Sequence, residues 1–157
     1  MFNRLAESDL LTACDYYGIG VVPYSPLVRG VLTGKYALNQ DAPNNSRAGR
    51  GDANLLARDL KKETLDIVKN IEKYLKNKNI TISEFAVAWL LNNKLITSVI
   101  GGPRTLAQWN SYIKGGGYEL TAEDEAFVDT LTTSGHNATP NYTWPRYPIR
   151  GRRAINI

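Results

Sequence analysis

The chain has 157 residues, 43% of them hydrophobic, which suffices for one ordinary core and one domain. No apolar run approaches the roughly 18–20 residues of a membrane span, and the N-terminus lacks a signal-peptide pattern. The net charge of +4 is concentrated in a tail: Arg146, Arg150, Arg152 and Arg153 lie in the last stretch, and the remaining basic residues balance the 15 acidic ones, so the charge does not describe a nucleic-acid-binding face.

Leu5 to Tyr17 reads as a helix, with Leu10, Leu11, Cys14 and Tyr17 near one face and Gly18 as its C-terminal stop. Cys14 stands alone, which excludes an internal disulfide and fits a reducing compartment, the cytoplasm. It reads as a small buried helix residue rather than a reactive thiol. Residues 19–24 come next as a short apolar strand of the kind buried on both faces, and Ser25 to Gly30 turns the chain.

Residues 37–58 are polar and rich in turn formers, a long connection of the type that forms lids, binding loops or disordered segments. Glu63 to Lys76 reads as an amphipathic helix with Leu65, Ile67, Val68, Ile71 and Leu75 apolar. A second helix starts at Thr81, where Thr81 and Glu84 have capping-box spacing, and runs to about Asn92. Residues 96–100 form the second credible strand. Thr105 to Lys114 is a short helix closed by Gly115, Gly116 and Gly117, and Thr121, with Asp124 three residues on, caps another to about Leu131. From Gly135 the chain is rich in Pro, Tyr and Arg and shows no periodicity, so a body of 1–135 is separated from a tail of 136–157.

Short apolar strands among helices indicate an α/β protein with parallel strands. Two strands among so many helices make an unusual complete domain, and the chain reads as a piece of something larger. Ligands in α/β folds sit at the carboxyl ends of strands. Both strands end in glycine-containing turns, and glycine lets a ligand approach the backbone closely. The helix from Thr105 offers free N–H groups, and Arg104 a guanidinium, to an anion; the alternative is a plain tight turn with Arg104 solvated. Tyr24 suits either stacking on a planar ligand or burial. His136, in a turn-rich region, reads as a surface or structural residue. Glu123, Asp124 and Glu125 favour a helix N-terminus rather than forming a catalytic carboxylate pair. One His and one Cys do not assemble a metal site.

Taken together, "GIGVVPYSPLVRGVLTGKY" (18–36) and "SVIGGPRTLAQ" (98–108) resemble the cofactor-binding segments of the aldo-keto reductases, NADP-dependent (β/α)8 barrel enzymes. "NRLAESDLLTACDYYGIGV" and "TISEFAVAWLL" extend the resemblance over nearly the whole chain. It implies an incomplete barrel, with residues 19–24 as the seventh strand and 96–100 as the eighth. By position, Tyr24 would stack on the nicotinamide, and Ser25, Leu27, Arg29 and Gly30 would line the pyrophosphate path. Gly102, Arg104 and Gln108 would hold the adenosine end, with Arg104 facing the 2′-phosphate of NADP. Tyr112 stands where the family commonly has Asn, and it is not assigned. The long loop would partly cover cofactor or substrate, and the tail would border the substrate pocket.

The family's Tyr proton donor, with its Lys, Asp and His, lies on earlier strands, so no residue of this chain inherits a catalytic role. The resemblance implies the cofactor-holding, C-terminal part of an enzyme that reduces an aldehyde or ketone substrate. Such a part would be inactive alone, or be completed by an N-terminal half or by self-association. The alternative is a non-enzymatic half-barrel that binds a nucleotide or a protein and self-associates.

Overall fold

Two helices of different character build the core of the computed structural model, which describes residues 1–139. Leu65, Val68, Ile71 and Leu75 recur at intervals of three and four along α2 (Lys62–Leu75), and all four are buried. Its other positions are mostly polar, so one stripe faces inward and the rest meets solvent. Helix α3 (Ile82–Leu91) is apolar nearly all round and is correspondingly enclosed, with Phe85, Ala86, Val87, Ala88 and Trp89 all buried. Val31, Leu32, Leu55 and Val128 complete the same cluster.

The remaining helices are α1 (Leu10–Tyr16), α4 (Leu106–Gly116) and α5 (Ala122–Leu131). Capping fixes the starts of three of the five α-helices among the described residues. Thr81 accepts from Glu84 N while Glu84 reaches back to Thr81 N, and Thr121 and Asp124 do the same for α5. Thr105 caps α4 through Gln108 N. Each such bond satisfies an N–H that the helix itself leaves unpaired.

Three expectations change. The first helix is split: a 3-10 turn at Leu5–Glu7 precedes α1. Asn3 Oδ1 accepts from Leu5 N and Ser8 Oγ donates to Leu5 O, local bonds that compete with a continuous helix. On α1 only Leu11 is buried; Leu10 and Tyr17 are exposed, and Cys14 is half-buried. Gly115 and Gly116 do not end α4 but lie inside it. A Cβ on Gly115 would stand 2.6 Å from Glu84 O, so the glycine lets α3 and α4 approach backbone to backbone.

The largest correction concerns the two strands. Residues 19–24 and 96–100 run side by side and parallel, yet among the described residues they form a single bridge, Tyr24 to Ile100, and no strand. Thr97 N and Ile100 N donate to Val21 O and Pro23 O, both at 2.9 Å. Pro23 has no N–H to return, and among the described residues neither segment has a second neighbour to pair with. Ile19, Val22, Tyr24 and Ile100 are consequently exposed.

Two polar clusters tie the helices together. Asp124, fully buried, accepts from Lys78 Nζ at 2.7 Å, Tyr74 Oη at 2.8 Å and Thr121 N at 2.9 Å. The Tyr74 ring stacks on Phe127 of α5, with centroids 3.8 Å apart. Near the N-terminus, the Arg4 guanidinium donates to Asp129 and to Thr132 O, and it lies over the Trp89 ring. His136 is exposed and contributes a backbone carbonyl to Arg4 N. The tail expected to border a substrate pocket lies, from residue 140 onward, outside the described residues.

Candidate functional site

The parallel segments end side by side, and the turns that leave them line one cavity of about 580 Å³, within the usual size of small-molecule sites. On one wall is the turn after Tyr24. Its backbone is left-handed at Ser25, Val28, Arg29 and Gly30, with φ of 58°, 48°, 52° and 97°. Gly30 accommodates this without a steric cost, and a Cβ there would lie 2.9 Å from Lys35 Nζ. Opposite is the turn at Gly101 and Gly102. A Cβ on Gly101 would strike the Tyr112 ring, whereas the space beside Gly102 is open.

All eight residues singled out in the sequence, Tyr24, Ser25, Leu27, Arg29, Gly30, Gly102, Arg104 and Gln108, line this cavity. Their side chains are engaged unequally. Tyr24 presents an exposed ring. Arg29 is ion-paired with the buried Asp59. Gln108 Oε1 accepts from Arg104 N at 2.7 Å, closing the first turn of α4, so part of the expected anion-binding end of that helix is already satisfied from within. The Arg104 guanidinium reaches across to Asn45 O at 3.3 Å.

Further cations reach the wall that sequence reading did not single out: Lys35, Arg47 and Arg50. Lys35 closely trails the first turn, in "TGKY", where its proximity to the glycine turn was the available signal. Arg47 and Arg50 come from the long loop, whose path no local pattern specifies. Arg47 pairs with Asp52 at 3.3 Å, and Arg50 donates to Asn45 O at 2.8 Å. The Leu55 N–H, and then Arg47, hold the Asp52 carboxyl below its ordinary pKa. Tyr112 also lines the cavity, and burial raises its phenol pKa.

Among the described residues, five guanidinium or ammonium groups thus converge on one cavity with no carboxylate on its wall. Arg29 and Arg47 are compensated by Asp59 and Asp52 behind them; Lys35, Arg50 and Arg104 pair with no carboxylate among the described residues. Such a wall suits a ligand carrying several phosphates, with apolar and aromatic surface at the Tyr24 end. Among the described residues no group of His, Cys, Asp and Glu could hold a metal ion.

The model of the aldo/keto reductase family matches residues 1–132. The chain belongs to that family. An uncharacterized oxidoreductase of Bacillus subtilis, YrpG, is 33% identical over 147 residues, covering 92% of this chain and 42% of the relative. A probable voltage-gated potassium channel subunit beta of Oryza sativa is 34% identical over 103 residues, covering 65% of this chain and 31% of the relative. Among solved structures, the glycerol dehydrogenase AKR11B4 of Gluconobacter oxydans superposes with a TM-score of 0.65 at 25% identity, over 94% of this chain and 43% of its own. This aldo/keto reductase chain therefore spans less than half the length of these relatives. No helix among its described residues is long and apolar enough to cross a membrane.

Proposed function

We propose that this chain is the cofactor-holding, C-terminal part of a cytoplasmic NADP-dependent aldo-keto reductase, corresponding to the seventh and eighth strands of a (β/α)8 barrel. The observation that carries the reading is the wall of five cations between two backbone turns, free of carboxylates among the described residues. Lys35, Arg50 and Arg104, whose charge is not locally compensated, would hold the phosphates, Arg104 taking the 2′-phosphate as a bidentate donor. Tyr24 would lie against the nicotinamide, and Gly30 and Gly102 would let the ligand approach the backbone. When bound, NADPH supplies the hydride for reduction of an aldehyde or ketone; this chain's residues bind and orient it.

Among the described residues, none on the cavity wall combines a basic partner with a phenol in the way a proton donor for the alkoxide requires. Among the described residues, Tyr24 and Tyr112 have no Lys or carboxylate hydrogen-bonded to them, so protonation is assigned to a separate N-terminal half that pairs with the open edges at 19–24 and 96–100. Exposed Ile19, Val22, Ile100, Leu106, Trp109 and Ile113 favour such a partner, and equally a second reading in which the chain associates with itself and binds nucleotide without catalysis. Sizing the chain alone separates the two, since self-association gives a concentration-dependent dimer or larger species.

The test of the cofactor site is fluorescence titration with NADPH and NADH, for wild type and Arg104→Ala. Saturable binding of NADPH is expected, with the variant losing about tenfold for NADPH and little for NADH. Absence of NADPH binding by the wild type would refute the proposed site, and equal losses for both nucleotides would remove Arg104 from the 2′-phosphate.

A further inference from the structure

The turn between Ser25 and Gly30 needs an external hold. Left-handed backbone is readily taken by Gly30, but Val28 at φ 48° and Arg29 at φ 52° adopt it against the preference of L-residues. Such geometry persists only where the surroundings over-determine it. Within the turn, Gly30 N and Leu32 N both donate to Leu27 O, at 2.8 and 3.2 Å. Those bonds close the turn without fixing its position relative to the rest of the cavity.

Asp59 supplies the fixed point. Arg29 Nη1 donates to Asp59 Oδ2, with the Asp59 side chain fully buried and that of Arg29 only 15% exposed, so the pair is shielded from solvent screening. Asp59 is itself anchored on both sides. It ends a single π turn, Leu55–Asp59, whose Leu55 is buried in the core. Its carbonyl accepts from Thr64 Oγ1, at 2.7 Å, in the first turn of α2. The same residue closes the long loop that brings Arg47 and Arg50 to the opposite wall.

The geometry points to Asp59 as a positioning residue that holds Arg29 as a strut, and through it the left-handed turn, against the long loop. Arg29 is then not a phosphate ligand. Its role is to keep Ser25 and Gly30 at a set distance from the loop cations. Removing the carboxylate would leave a shielded guanidinium without its counter-charge, and the guanidinium would leave for solvent through the cavity. The inference rests on the cofactor site proposed above for its consequence, though not for the hold itself.

Two measurements on the full chain test it. Hydrogen exchange without cofactor compares wild type, Asp59→Asn and the charge-retaining Asp59→Glu. In Asp59→Asn the Gly30 and Leu32 amides should exchange about tenfold faster while the amides of α2 and α3 keep their protection, and Asp59→Glu should recover most of the difference. Unchanged exchange at Gly30 and Leu32, an acceleration spread over α2 and α3, or equal acceleration by both substitutions would overturn the assignment. The second measurement titrates NADPH and adenosine 2′,5′-bisphosphate, which carries only the adenosine end. Asp59→Asn should weaken NADPH about tenfold and change the bisphosphate by less than about twofold. Equal weakening of both would make Asp59 a general stabiliser and refute its positioning role. Failure of the wild type to bind NADPH would sink the cofactor reading alone, and the exchange data would still decide whether Asp59 holds the turn.

Discussion

Replacing Asp124 with Asn removes one negative charge from the most heavily hydrogen-bonded side chain of the described fold and nearly preserves its shape. Burial by itself would raise the pKa of this carboxyl, but Lys78, the Thr121 N–H and the Tyr74 hydroxyl outweigh it and hold the group well below its ordinary 3.8. In turn, Asp124, and then Tyr74, raise the Lys78 pKa. The two shifts describe one interaction and are counted once. Removing one partner of a buried ion pair costs about 3–5 kcal/mol. Lys78 retains 25% of its exposure and can turn toward water, so the loss for Asp124→Asn falls at the lower end, about 3 kcal/mol. Lys78→Met leaves the charge on the wholly enclosed partner and should cost at least as much. The double variant should lose less than the sum of the two.

Urea unfolding at constant m reads these differences as shifts of midpoint. The pH dependence gives an independent check with a definite sign. A carboxylate whose folded pKa is depressed stabilises fully above its unfolded pKa of 3.8 and loses that contribution as pH falls toward the folded value. The gap between wild type and Asp124→Asn should therefore be constant from about pH 7 to pH 5 and narrow by roughly 1 kcal/mol at pH 3. A gap below about 0.5 kcal/mol at pH 7, or one that does not narrow in acid, would refute the claim that this ion pair locks the segment after α2 to α5.

Other perturbations have equally direct readings. Gly115→Val places side-chain atoms against Glu84 O, where a Cβ alone already stands at 2.6 Å, and should destabilise by about 1–3 kcal/mol in urea titrations; an unchanged midpoint would mean α3 and α4 can separate at no cost. Arg4→Met leaves Thr132 O without its donor and removes the contact with Trp89, and should cost about 1–3 kcal/mol by thermal melting, with near-UV circular dichroism reporting Trp89.

The sequence made some of this structure legible because the information was local. Thr81 with Glu84 and Thr121 with Asp124 are complete capping signals in four residues, and α3 and α5 start where those signals stand. The apolar stripe of α2 likewise encodes its own buried face. Gly115 shows the limit. A glycine triplet reads as a helix stop, but whether a helix faces solvent or another backbone at that point depends on a neighbour 31 residues earlier in the chain, at Glu84. The acidic triplet at 123–125 has the same ambiguity. Propensity treats its members alike, and only packing distinguishes the buried Asp124 from its exposed neighbours.

The two apolar segments failed as strands for a related reason. β-structure is a property of neighbours, and among the described residues the segments 19–24 and 96–100 have only each other, with Pro23 breaking the ladder between them. Their composition nevertheless located the cavity, because the turns after them face it whether or not the ladder is complete. The eight residues named from those turns share that cavity, while three of its five cations, Lys35, Arg47 and Arg50, enter from a turn end and a loop that carry no periodic signal. The same loop leads into Asp59. A long polar connection thus contributes both cations and the counter-charge behind them, and its fold is set by buried anchors, Leu55 and Thr64, that look ordinary in the sequence. The site's glycines were readable because backbone conformation is local, and its electrostatics were not, because an ion pair such as Arg29–Asp59 spans 30 residues and is specified only by the packing on either side of it.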